Sequence, residues 1–236
     1  MIIEPPKYPF EDSPAKFKRV ITLLQERGYK RILKRAERQF HRASWSVGDF
    51  QHLIIPDNGG GGQGLALQYG LYNEELEQFS VDCIVGYNRL NPVDWTKSKR
   101  SFCMLANSIF TRAKQGPGKA PWGIFLCDHT TDEIIKIVED KLDLQIEPAL
   151  RSVTDMQTWF NALADDSNAF PWWQVSAEVR AAQAVALGAR LSMNDQDIKD
   201  RLMLQKAHIE GHAESGVSGD EYLDYVIAAA VKFRPN

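Results

Sequence analysis

Cysteine is scarce in this chain. There are three in 236 residues, Cys83, Cys103 and Cys127. An odd number in apolar surroundings argues against a secreted disulfide framework and for a reduced, cytoplasmic protein. No Cys-x-x-Cys pair occurs, which argues against a zinc ribbon or a dithiol redox centre. No apolar run approaches the ~18 residues of a membrane span, so a membrane is not expected as a partner. The opening Met1-Ile2-Ile3-Glu4-Pro5-Pro6 has neither the basic nor the apolar region of a signal peptide. There is no internal repeat, which leaves a helical-repeat array without its period. No low-complexity tract occurs beyond one run of glycines. Serine-centred elbow glycines and a cluster of carboxylates within one motif are also missing.

What remains is ordinary globular composition, 44% hydrophobic and 25% charged. A chain of this length can bury a sizeable core. The net charge of -3 is unevenly spread. Between Lys16 and Arg42 stand ten Lys/Arg and two acids, whereas the rest of the chain has 18 basic and 29 acidic residues. A basic front and an acidic body fit two readings. Either the front meets an anionic partner, or it is matched internally by acidic helices.

Hydrophobic periodicity organises the chain around a short sheet. Strands are read at Gln39–Trp45, Phe50–Ile55, Leu65–Tyr72 and Val81–Tyr87, with a turn at Ser46–Asp49 and a fifth strand at Trp122–Cys127. Ahead of them, Ser13-Pro14 opens a helix with Phe17, Val20, Ile21 and Leu24 on one face, and Gly28 ends it. Lys30–Arg38 reads as a lead-in to the first strand. Lys99–Ala113 reads as a helix. Thr130 with Glu133, Thr154 with Gln157, and Ser218 with Glu221 have the spacing of capping boxes, and the helix after Thr130 should stop near Pro148. From Ser176 the pattern is helical only: Ser176–Ala189, Ser192–Ala213 and Ser218–Phe233. The expected fold is α+β. An antiparallel sheet of four to five strands has helices packed on one face and a helical C-terminal segment. The expected division is an α+β domain over 1–165 and a helical subdomain over 170–236.

Each candidate for chemistry meets an obstacle. Gly59-Gly60-Gly61-Gly62-Gln63-Gly64 invites a phosphate loop, but such a loop needs Lys and Ser/Thr after the last glycine and then a helix. Here Leu65-Ala66-Leu67 follows in a strand pattern, so no nucleotide cofactor is expected. His208 and His212 share a helical face, but the Glu of a zinc-hydrolase helix is absent beside them, and no third ligand is placed. Cys127 and His129 would face each other only if their strand continues. No catalytic residue and no metal site is therefore assigned. The candidate binding residues are Arg31, Lys34, Arg35 and Arg38 in the basic segment, Gly60 and Gly61 at a mobile loop tip, and Trp172 and Trp173. The two tryptophans lie in a loop between domains, where an exposed ring would make an interface anchor.

Helix, Arg27-Gly28-Tyr29-Lys30, a strand with Phe40-His41-Arg42, and Leu67-Gln68-Tyr69-Gly70-Leu71-Tyr72 follow in order. Glu147-Pro148-Ala149-Leu150 and Thr154-Asp155-Met156-Gln157 come later. Over about residues 14–163 this layout resembles an uncharacterised bacterial family known only as a domain of unknown function. The chain departs from it at Lys30–Arg38, at the glycine run and at Lys99–Lys119. The resemblance implies a helix-meander-helix build and supplies no catalytic residues. In general build such α+β proteins resemble the immunity proteins that neutralise bacterial toxins. The expected function is a non-enzymatic cytoplasmic binding protein with a protein partner, a toxin. The alternatives are nucleic-acid binding through residues 16–42 and a metal-dependent hydrolase.

Overall fold

The structure is a computed structural model, and it describes residues 12–32, 39–43, 50–57, 64–87, 104–108, 124–164, 177–212 and 218–235. The fold is α+β, with an antiparallel sheet and a helical C-terminal region. The chain forms two compact units. The first takes residues 1–43, 52–70 and 108–152, and the second takes 44–51, 71–107 and 153–236.

In the first unit, α1 (Ser13–Glu26) buries Phe17, Val20, Leu23 and Leu24. Ser13 is its first helical residue, with Asp12 as the cap and Pro14 in the first turn, one position later than the sequence suggests. Gly28 ends the helix at φ +84°. The Tyr29 amide donates to Leu24 O at 3.0 Å and the Gly28 amide to Gln25 O at 2.9 Å, two nested bonds that require a left-handed residue at Gly28. The turn leads directly into β1 (Lys30–Ile32), part of the basic stretch expected as a lead-in. β1 pairs antiparallel with β2 (Gln39–Ala43), placing Arg31 opposite Phe40. Then come β3 (Gln51–Asp57) and β4 (Gly64–Tyr72), and the four strands lie in space in their sequence order. β3 is buried without a break from His52 to Pro56, as an inner strand should be.

A fifth strand, β5 (Met104–Ser108), stands where the sequence suggests a helix over 99–113. β6 (Ile124–Phe125) pairs antiparallel with β4. The expected strand 122–127 ends there, because Leu126–Asp128 turns into a 3-10 helix.

Beyond it, α3 (Thr131–Lys141) starts on a complete capping box. Glu133 N donates to Thr130 Oγ1 at 3.2 Å, and Thr130 N donates to Glu133 Oε2 at 2.8 Å. The helix does not stop before Pro148. It passes through a π turn at Leu142–Ile146 into α4 (Glu147–Ser152). The reason is visible in the spacing. Ile134, Val138, Leu142, Ile146 and Leu150 are all fully buried, one every fourth residue. At 3.6 residues per turn such a stripe drifts by roughly 40° per step. The wider π turn, closed by the Glu147 amide on Leu142 O, takes up part of that drift. Pro148, which has no amide, falls in the first turn after it, where none is needed.

The second unit is helical apart from β5. It contains α2 (Glu74–Tyr87), α5 (Met156–Ala164), α6 (Ala177–Arg190), α7 (Asp195–Arg201), α8 (Met203–His212) and α9 (Gly219–Ala229). α2 overturns the expected strand at Val81–Tyr87. Leu76, Phe79, Cys83 and Ile84 are its buried stripe, and Leu76 N donates to Asn73 Oδ1 at 3.0 Å to start it. α6 is the centre of the unit. Every residue from Val179 to Ala189 is buried, and α2, α5, α8 and α9 all pack on it. Its alanines let those four helices approach closely. Gly188 goes further, because a Cβ there would lie 2.8 Å from the Ile198 side chain.

Candidate functional site

Two polar arrangements stand out, one in each unit. In the first unit, Arg42 on β2 reaches across the end of α1. Its Nη1 donates to Arg27 O at 3.1 Å, and its Nη2 donates to Glu147 Oε1 on α4 at 3.2 Å. The guanidinium lies 4.4 Å from the centre of the Tyr29 ring. The Tyr29 ring is 1% exposed, and burial pushes its hydroxyl up to about 12. Arg151, one turn after Glu147, donates to its Oε2 at 3.5 Å. His52 on β3 is fully buried, and burial, reinforced by Arg42 and Arg151, pushes its imidazole down to about 4. Close by, Arg27 forms a two-pronged pair with Asp143, whose carboxyl it holds below the ordinary range. The arrangement joins α1, β2 and α4. Tyr29 stays protonated and His52 stays neutral near pH 7, so neither offers a charged or readily deprotonated group.

In the second unit, α2 and α9 lie side by side. The Tyr87 ring stands 5.2 Å from Tyr222 and 5.3 Å from Tyr225, and its hydroxyl donates to Glu221 Oε2 at 3.5 Å. Tyr222 is buried and donates to Glu178 O at 3.1 Å. Tyr225 is 36% exposed, and its hydroxyl lies over Gly86, where any Cβ would collide with it. Beneath these rings the Cys83 thiol is pushed up to about 12 by burial, with Asp82 adding to the shift. That thiol is inert as a nucleophile at neutral pH. Deeper in the unit, Arg180 and Gln205 both donate to Leu163 O, at 3.1 Å and 2.8 Å, and so close the C-terminal end of α5.

Of the binding residues expected from sequence, Arg31 is exposed on β1. Lys34, Arg35, Arg38, Gly60, Gly61, Trp172 and Trp173 lie outside the described residues. His208 is exposed on α8, and among the described residues no group of three metal-ligating side chains comes together. Cys127 sits on the 3-10 turn with its thiol raised by burial, and His129 Nδ1 is 3.9 Å from Glu133 Oε2. The strand that would have aligned Cys127 with His129 ends at Phe125. Tyr29, His52 and Glu147 were not singled out by sequence reasoning. One signal was available, since Glu147 and Arg151 have the i, i+4 spacing of a helical pair.

No family model, no curated protein and no solved structure matches the chain.

Proposed function

We propose that the chain is a non-enzymatic cytoplasmic binding protein that neutralises a bacterial toxin by covering it, in the manner of an immunity protein. The observation that supports this reading is how charge is distributed. The first unit has 17 basic and 13 acidic residues, and the second has 11 and 18, so they carry +4 and -7. Much of the basic front is turned inward. Arg19 pairs with Glu26, Arg27 with Asp143 and Arg42 with Glu147, while the buried Lys16 donates to Leu126 O at 3.0 Å. The acidic excess of the second unit has no such counterpart in sequence. A one-signed surface of this kind draws in a basic partner and repels nucleic acid. A tagged copy should co-purify one basic protein from its native host and protect cells in which that protein is expressed. A chain recovered alone, with no protection against a neighbouring toxin, would refute the reading.

A second reading rests on the exposed Lys18, Lys30 and Arg31. These could take nucleic acid together with Lys34, Arg35 and Arg38. Binding of that kind weakens steeply as salt rises. Absence of any complex with DNA or RNA at low salt removes it.

A further inference from the structure

Between them α2 and α9 carry seven carboxylates and no Lys or Arg. Three of these meet cations from other helices: Glu75 meets Arg190, Asp220 meets Lys206 and Asp224 meets Lys199. Glu77 is buried. At the edge where the two helices touch, Val85 is 39% and Tyr225 36% exposed. Asp82, Gly86 and Glu221 are exposed around them. Glu221 stands one helical turn before Tyr225, and Asp82 one turn before Gly86. Asp82 accepts from Gln78 Nε2 at 2.7 Å, a neutral contact that leaves its charge in place. Lys232, the cation near this edge, is committed to the Phe79 and Phe233 rings, at 5.3 Å and 5.1 Å from their centres.

A half-exposed tyrosine ring, an apolar floor of Val85 and Gly86, and two flanking carboxylates match the chemistry of one side chain. Arginine stacks its planar guanidinium on an aromatic ring, donates to carboxylates, and lays an aliphatic stem on apolar surface. We propose that this face of α2 and α9 is where the partner docks, and that the partner is a basic protein placing an arginine along the Tyr225 ring. The proposal rests on the binding-protein reading above and adds the surface and the contact chemistry. An anionic membrane or a nucleic acid would be repelled by the same carboxylates.

The test uses the full chain, isotope-labelled for nuclear magnetic resonance, and a short peptide of alternating arginine and leucine as the probe. Shifts should concentrate on Asp82–Tyr87 and Glu221–Tyr225. Affinity should fall about tenfold or more in Asp82→Lys/Glu221→Lys and in Tyr225→Ala. It should change little in Asp128→Lys/Asp140→Lys, which makes the same change in net charge elsewhere. Shifts spread over all acidic surfaces, or equal losses in both double variants, would overturn the proposal. Toxin protection is scored in the same variants. If Asp82→Lys/Glu221→Lys protects as well as the unaltered chain, the surface is wrong and the reading of function stands. If the unaltered chain fails to protect while the peptide still lands on this face, the surface stands and the toxin reading is wrong.

Discussion

Arg42 and Glu147 lie 105 residues apart in sequence and meet at 3.2 Å, with side chains only 19% and 12% exposed. Removing either leaves the other charge half-buried without that partner. Glu147→Ala should therefore lower stability by roughly 1–3 kcal/mol, the range for a hydrogen bond to a charged group in such a setting. Asp143→Ala, at the more exposed pair with Arg27, should cost less than about 1 kcal/mol. Urea midpoints of the two variants rank them directly. Equal losses would mean that the inner pair contributes no more than a surface one.

His52 gives the fold an acid limit. Its folded value of about 4 lies below its ordinary 6.5, so between those values the unfolded chain binds the extra proton. The stability tied to neutral His52 is present above pH 6.5 and is lost as pH falls toward 4. The ceiling on that loss is roughly 3 kcal/mol. Melting temperatures across this window should flatten in His52→Gln. An unchanged slope would assign the acid loss to other groups.

Two glycines should respond in opposite directions. Gly188→Ala forces a methyl to within 2.8 Å of Ile198 and 3.3 Å of Phe160, both core side chains. A cost of about 1–3 kcal/mol is expected from overpacking. Gly211 has nothing within 4 Å of its missing Cβ and sits near the end of α8. Gly211→Ala should stabilise by up to about 1 kcal/mol through helix propensity alone. Chemical denaturation of the pair, side by side, checks both signs.

Thr130 carries the one complete capping box among the described helices. Thr130→Ala should cost about 1 kcal/mol, and Thr130→Ser should recover most of it. Amide exchange at Asp132 and Glu133 is the local readout. Exchange that does not speed up in the alanine variant would show that the box does not hold this end of α3.

Local signals in the sequence located much of the fold. Gly28 marks the end of α1, and the alternation from Leu65 to Tyr72 marks β4. Thr130 and Glu133 mark α3 because their bonds span only three residues. Errors arose where one set of residues satisfies two periods. Val81, Cys83, Val85 and Tyr87 alternate like a strand, yet Leu76, Phe79, Cys83 and Ile84 also fit a helix, and only packing against α6 decides between them. The helix expected over 99–113 is overridden at β5 for a reason of the same kind, since strand pairing is non-local. Nor does Pro148 stop the helix, because a π turn precedes it.

The candidate sites were harder to read. Arg42 touches Arg27, Tyr29 and Glu147, and no local pattern announces partners from three elements. The face on α2 and α9 joins residues about 140 positions apart, Asp82 to Glu221 among them. Counting charge along the chain gave the sign of that surface but not its place, since α2 itself was read as a strand. Capping boxes at Thr154 and Ser218 came out shifted. Asp155 Oδ1 accepts from Thr158 N at 2.7 Å, and Ser218 Oγ accepts from Asp220 N at 3.2 Å. An aspartate or a serine can close the same turn at neighbouring offsets, so the spacing alone does not choose between them.

The π turn at Leu142–Ile146 has a consequence for how the chain could lose or gain a residue. Deleting Gln145 would restore an unbroken α-helical ladder, a gain for the helix taken alone. It would also swing everything after it by roughly 100° about the axis. Leu150 would leave the core and Glu147 would turn away from Arg42. One apparently surplus residue therefore acts as a phase adjuster, and a chain shortened there would have the better helix and the poorer domain.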